Sequence, residues 1–169
     1  MPKVPPYRLQ ALLELRERKK EEAERFLGEC ITSLKKEQDR LKEMELILER
    51  MVAMRDAKKR EYMETAMRGE MSAQSAINAN KYIDRLKEQE EAQKTAIEAQ
   101  KGVIKQKEED VEGARKALVE AMQSLKALEK HKEKIETDWK KEMAAKEEET
   151  MDELAQTIYM GQTHGQSDE

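Results

Sequence analysis

The residues with chemical potential are few. One cysteine, Cys30, and two histidines, His131 and His164, are the only thiol and imidazole groups in the chain, too few to assemble a metal cluster. No Gly-x-Ser-x-Gly elbow, His-Glu-x-x-His pair or glycine-rich phosphate cradle occurs. Carboxylates are abundant, as in residues 88–91 and 147–149, but they sit in runs among lysines. Such runs read as solvated helix faces. His131 precedes Lys132 on a charged face and reads as a solvated side chain; His164 falls in a polar C-terminal stretch. Cys30 lies on an apolar helical stripe and reads as a small buried residue, not a reactive thiol. The expectation is a protein without catalysis, cofactor or metal.

Recognition is better provided for. Arg16, Arg18, Lys19 and Lys20 form a basic cluster, interrupted by Glu17 and surrounded by Glu14, Glu21, Glu22 and Glu24. Those acids exclude a basic region that reads DNA and favour either ion pairing along the helix or docking on an acidic protein surface. Trp139 is the single tryptophan. On the antiparallel arrangement derived below it falls beyond the end of the first helix, where a bare indole would serve as an interface anchor. Met51, Met54 and Met67, with Tyr62 among them, concentrate toward the middle of the chain, and flexible thioethers suit surfaces that meet more than one partner.

These side chains are carried on helices. Of 169 residues, 41% are charged, 37% hydrophobic and 4% aromatic, and the mean hydropathy is -1.01. An ordinary compact domain is less charged. A disordered chain could be this polar but would lack regularly placed apolar residues. Here they recur on a heptad clock. Stepping alternately by three and four from Ile83 reaches Leu86, Ile97, Ile104, Val111, Ala114, Leu118, Ala121, Leu125, Leu128, Ile135 and Trp139. The polar steps on that path are Glu90, Gln93, Gln100, Lys107 and Lys132. A second seam runs from Leu9 through Leu13, Ala23, Leu27, Cys30, Leu34, Leu41, Met44, Leu48 and Met51 to Tyr62, with Arg16, Lys20, Glu37, Arg55 and Lys58 as polar steps. A spacing of about 3.5 residues gives each helix a narrow apolar stripe that another helix must cover, with left-handed supercoiling.

Gly69 is placed to end one helix, and Ser72 or Ser75 to begin the next. The connection is short, so the two helices are antiparallel neighbours, and a turn centred near residue 71 brings Leu13 close to Leu128. The predicted fold is all-α: a long two-helix antiparallel coiled-coil hairpin with helix 1 over about 6–67, a turn over about 68–73 and helix 2 over about 74–159. Helix 2 is the longer. Pro5 and Pro6 set the start of helix 1, and residues 161–169, polar and carrying glycine, are expected to form a disordered tail. Past Trp139 the apolar residues Met143, Met151, Leu154 and Ile158 follow a longer period than the seam.

Partner classes follow from charge. Net charge is -4, with 33 basic and 37 acidic residues mixed along the chain, which argues against nucleic acid and against a basic membrane-surface helix. No apolar run approaches the length of a membrane span, and the start of the chain lacks the apolar core of a signal peptide. With one cysteine and no such signals, the reading is a cytoplasmic protein.

Two stretches go beyond a generic coiled coil. The start, Pro6-Tyr7-Arg8-Leu9-Gln10-Ala11-Leu12-Leu13-Glu14-Leu15-Arg16-Glu17-Arg18-Lys19-Lys20-Glu21-Glu22-Ala23-Glu24, resembles the opening of the YscO/FliJ family, the central-stalk proteins of type III secretion and flagellar export, and looks closer to the YscO-type members. The segment Met151-Asp152-Glu153-Leu154-Ala155-Gln156 is similar to a short C-terminal motif of the flagellar members. The resemblance implies a non-enzymatic stalk, monomeric in isolation, at the base of a membrane secretion apparatus. Its termini-bearing end docks into a hexameric export ATPase, and its remainder meets an export gate protein and also export chaperones or a needle-length regulator. On that reading Arg16, Arg18, Lys19, Lys20, Trp139, Met151 and Leu154 face the ATPase, and Met51, Met54, Tyr62 and Met67 contact the gate or a chaperone. The competing expectation is a passive coiled-coil scaffold that dimerises through its seams.

Overall fold

The computed structural model describes residues 2–165. Two helices, α1 (Gln10–Met67) and α2 (Ala73–Gly165), make up the fold, 58 and 93 residues long. They pack as the antiparallel coiled-coil hairpin that the two seams predict, with α2 the longer helix. Leu13 is buried in one cluster with Leu125 and Leu128, the proximity required by a turn near residue 71.

The turn is built by hydrogen bonds. Gly69 has φ 72°, a left-handed conformation that costs an L side chain energy and glycine little. That geometry lets Gly69 N–H reach the Ala66 carbonyl at 3.0 Å and Glu70 N–H reach Thr65 at 3.2 Å, satisfying carbonyls that the end of α1 would otherwise leave open. Three residues after Gly69, the Ser72 hydroxyl accepts from Ser75 N–H at 3.1 Å and caps the start of α2.

Both outer helix ends differ from expectation. Helix α1 starts at Gln10, not near residue 6. Proline disfavours the helical conformation of the residue before it, which holds Val4 and Pro5 extended, and Tyr7 is drawn toward α2 by a side-chain contact described below. Helix α2 runs past the expected end near 159 to Gly165. Glycines at 161 and 165 weaken a helix without forbidding it as proline would, and the Thr163 hydroxyl donates to the Tyr159 and Met160 carbonyls. Residues 161–165 are therefore helical, and the rest of the expected tail lies outside the described residues.

Two compact units divide the chain: Met1–Glu22 with Leu118–Glu169, and Ala23–Ala117. The first contains the Leu13, Leu125 and Leu128 core, against which Tyr7 and Leu12 pack. The second contains the interhelical turn and buries Ala79, Ile97, Ile104, Val111 and Ala114 together with two polar residues, Glu90 and Gln100.

Candidate functional site

In the unit that carries the described N-terminal residues and the C-terminal part of α2, polar seam residues bind the two helices together. Arg16 donates to the Ser124 carbonyl at 2.9 Å, and Lys132 donates to Gln10 Oε1 at 3.1 Å. The Tyr7 hydroxyl hydrogen-bonds Nδ1 of His131, their rings 5.8 Å apart, and the Lys132 ammonium stands 6.0 Å from the Tyr7 ring centre. His131 is exposed, as its position suggested, and also serves as a fastening point for Tyr7.

The fastening has a consequence for Trp139. Residues 4–9 run as a strap alongside α2, and between strap and helix lies an apolar cleft of about 680 Å³ lined by Val4, Pro5, Pro6, Leu9, Ile135 and Trp139, with Arg8, His131 and Glu136 at its polar edges. Trp139 is half-buried. The expectation of an uncovered indole is corrected: a non-helical strap, turning at Arg8 and Leu9, takes over where α1 stops. Its cue was the pair Pro5 and Pro6, which said where a helix could not run and nothing about what the segment would touch.

The basic cluster is split by the helix period. Arg16 and Lys20 occupy seam steps and are half-buried, Arg16 being already engaged with Ser124. Arg18 and Lys19 point outward and are exposed. Two cations of the four are therefore presented freely to an incoming surface.

Beyond Met143 every described residue of α2 is exposed. Met151 is 65% exposed, Leu154 54%, Ile158 54%, Tyr159 68% and Met160 64%, values that leave large apolar side chains without cover from any described part of the chain. Sequence reasoning named Met151 and Leu154 and passed over the two residues that follow Ile158.

In the second unit the polar seam residues again reach across. Arg55 forms an ion pair with Glu90 at 2.9 Å, Gln93 donates to the Met44 carbonyl at 3.1 Å, and Gln100 donates to both the carbonyl and the carboxylate of Glu37. Apolar seams tolerate sliding, whereas these pairs fit one register only. Met51 and Tyr62 are half-buried and serve the seam, while Met54 and Met67 are outward, Met67 87% exposed beside the turn. Tyr62 also lines a shallow cleft with Met63, Met71, Ala79 and Ile83.

Among the described residues no group of three or more His, Cys, Asp or Glu side chains is placed to hold a metal, and no helix is long and apolar enough to cross a membrane. Fold and surfaces together define a long antiparallel coiled-coil hairpin whose distinguishing features are contact surfaces. The chain belongs to the YscO-like protein family, whose model matches residues 4–165. It is therefore a structural component of a type III secretion apparatus, from a family that is not one of enzymes. The structure of the proposed YscO homologue CT670 from Chlamydia trachomatis has the same fold, with a TM-score of 0.78 and 23% identity over 96% of this chain and 99% of that one. No curated protein matches the chain.

Proposed function

We propose that this protein is the central stalk of its secretion apparatus: it docks into the hexameric export ATPase, couples it to the export gate and escorts chaperones. It works at the base of the membrane-bound apparatus. The observation that carries the reading is the bare C-terminal stretch of α2, with Met151 and Leu154 exposed, in the same unit as the outward cations Arg18 and Lys19. Apolar side chains left uncovered on a helix and accompanied by carboxylates suit a socket better than solvent. Family membership supplies the class of apparatus. Arg16 and Lys20 support the docking surface from the seam, and Trp139 does so from beneath the strap. Met54 and Met67 are the residues for the gate or a chaperone, with Met51 and Tyr62 holding the helix that presents them.

The test is to mix the purified export ATPase with the wild type and with an Arg18→Glu, Lys19→Glu variant and to follow ATP hydrolysis. Wild type should stimulate, and the variant should do so several-fold less. Equal stimulation by both removes the docking claim. Sedimentation of the isolated chain separates a stalk from a passive scaffold, since a stalk sediments as a monomer and a scaffold forms a concentration-dependent oligomer.

A further inference from the structure

We infer that the last turns of α2 form a separate docking helix whose receptor is an apolar groove edged by lysine and arginine. The inference deepens the docking proposal and rests on it only for the identity of the protein that supplies the groove. Continuing the three-four step past Trp139 lands on Glu142, Lys146, Glu149 and Glu153, all charged. The apolar residues Met151, Leu154 and Ile158 lie between about a third and half a turn away from that line, toward the opposite side of the helix, at 3.6 residues per turn. An α1 that reached this far and kept to the seam would still leave them bare. They are not an unfinished part of the hairpin, so their cover comes from another molecule.

Charge identifies its chemistry. No lysine or arginine follows Lys146 in the sequence, whereas Glu147, Glu148, Glu149, Asp152 and Glu153 crowd the turns that carry the stripe. All five are exposed, and no hydrogen bond or ion pair engages their carboxylates among the described residues. A surface that buries Leu154 and Ile158 must approach Glu147, which lies within the stripe, and Glu148 at its edge, with the other acids adding to the negative field, and only cations at its rim avoid repulsion and desolvation cost. The same charge sign turns the helix away from anionic lipid and from nucleic acid, leaving a protein groove of the kind that takes an amphipathic helix by residues three and four apart.

The experiment places a photo-crosslinking amino acid at Ile158 of the full chain in secreting cells and repeats it in a Glu148→Lys, Asp152→Lys, Glu153→Lys background. The expected result is one protein adduct, mapped to an apolar segment containing lysine or arginine, whose yield falls about tenfold on charge reversal. If that adduct is the export ATPase, both proposals are supported. If it is a different protein with the same mapping and the same loss, the groove inference holds and the assignment of this helix to the ATPase falls. A lipid adduct, no adduct, or one indifferent to charge reversal overturns the groove inference. The ATPase reading would then be judged separately by the Arg18 and Lys19 stimulation assay. Circular dichroism of the purified variants, expected to match wild type because the substituted residues are exposed, excludes loss of folding as the cause.

Discussion

Glu90 and Arg55 form an ion pair across the seam at 2.9 Å in which the carboxylate is almost wholly buried, 3% exposed, and its second oxygen, Oε1, has no hydrogen-bond partner. Desolvation of a carboxylate is costly, and a single guanidinium that is itself partly solvated does not recover all of it. The pair is therefore a poor source of stability but a strong constraint on alignment. Sliding the helices would separate the two charges and leave Glu90 buried alone. Replacing Arg55 with Met should destabilise the hairpin by about 3 kcal/mol, whereas Arg55→Met combined with Glu90→Leu should be neutral or stabilising by about 1 kcal/mol or more. Urea melts followed by circular dichroism check both. A double variant as unstable as the single one would show that the pair stabilises the fold outright.

The strap over Trp139 makes a spectroscopic prediction. Trp139 is the single tryptophan, so its emission reports on residues 4–9 directly. Deleting residues 2–8, which precede α1, should expose the indole and shift its emission to longer wavelength while leaving helix content unchanged. Tyr7→Phe should shift it less. That substitution keeps the ring and removes one hydrogen bond to His131, worth about 1 kcal/mol. Identical emission from the deletion variant and the wild type would show that the strap does not cover the indole in solution.

The seams were legible because burial in a two-helix coil depends on period alone. Along α2 the three-four path from Ile83 meets only buried or half-buried residues until Ile135, which is 42% exposed where α1 has ended. Glu90 and Gln100 could be placed on that path, but their partners could not. Whether Glu90 meets Arg55 or Lys58 depends on a register that several neighbouring alignments satisfy almost equally in apolar area. The turn was legible in detail, since Gly69 and Ser72 act through local backbone geometry. The strap was not, because a non-helical segment has no period and its contacts with His131 and Trp139 are made by residues far apart in sequence. The split of the basic cluster was carried by the seam steps themselves: adjacent residues on a helix point about 100° apart, so Arg16 and Lys20 turn to the seam while Arg18 and Lys19 turn out.

Ser72 gives a local test of the turn. Its hydroxyl accepts from Ser75 N–H and lies 2.8 Å from the Ser75 hydroxyl. Ser72→Ala removes the cap and should cost about 1 kcal/mol, and Ser72→Asp should retain the stability because a carboxylate caps as well. Thermal melts of the two variants decide the matter, and an alanine variant as stable as the aspartate one would deny the hydroxyl its capping role.

The glycines supply a prediction of opposite signs at sites that look alike in sequence. At Gly69 a side chain would meet no atom within 4 Å, so space is not the obstacle, but the φ of 72° is strained for any L residue. Gly69→Ala should therefore destabilise by about 1 kcal/mol, and Gly69→Asn by less, since asparagine tolerates the left-handed region. Gly102 and Gly113 also have open space where a side chain would stand, yet they lie inside α2 with helical backbones. There alanine reduces the freedom of the unfolded chain without strain in the folded one, so each Gly→Ala change should stabilise by about 0.5 to 1 kcal/mol. Chemical denaturation of the three alanine variants measures this directly. If Gly113→Ala destabilised the chain as Gly69→Ala does, the backbone there could not be the uninterrupted helix that carries the lower part of the seam, and the alignment of Val111 and Ala114 against α1 would have to be redrawn.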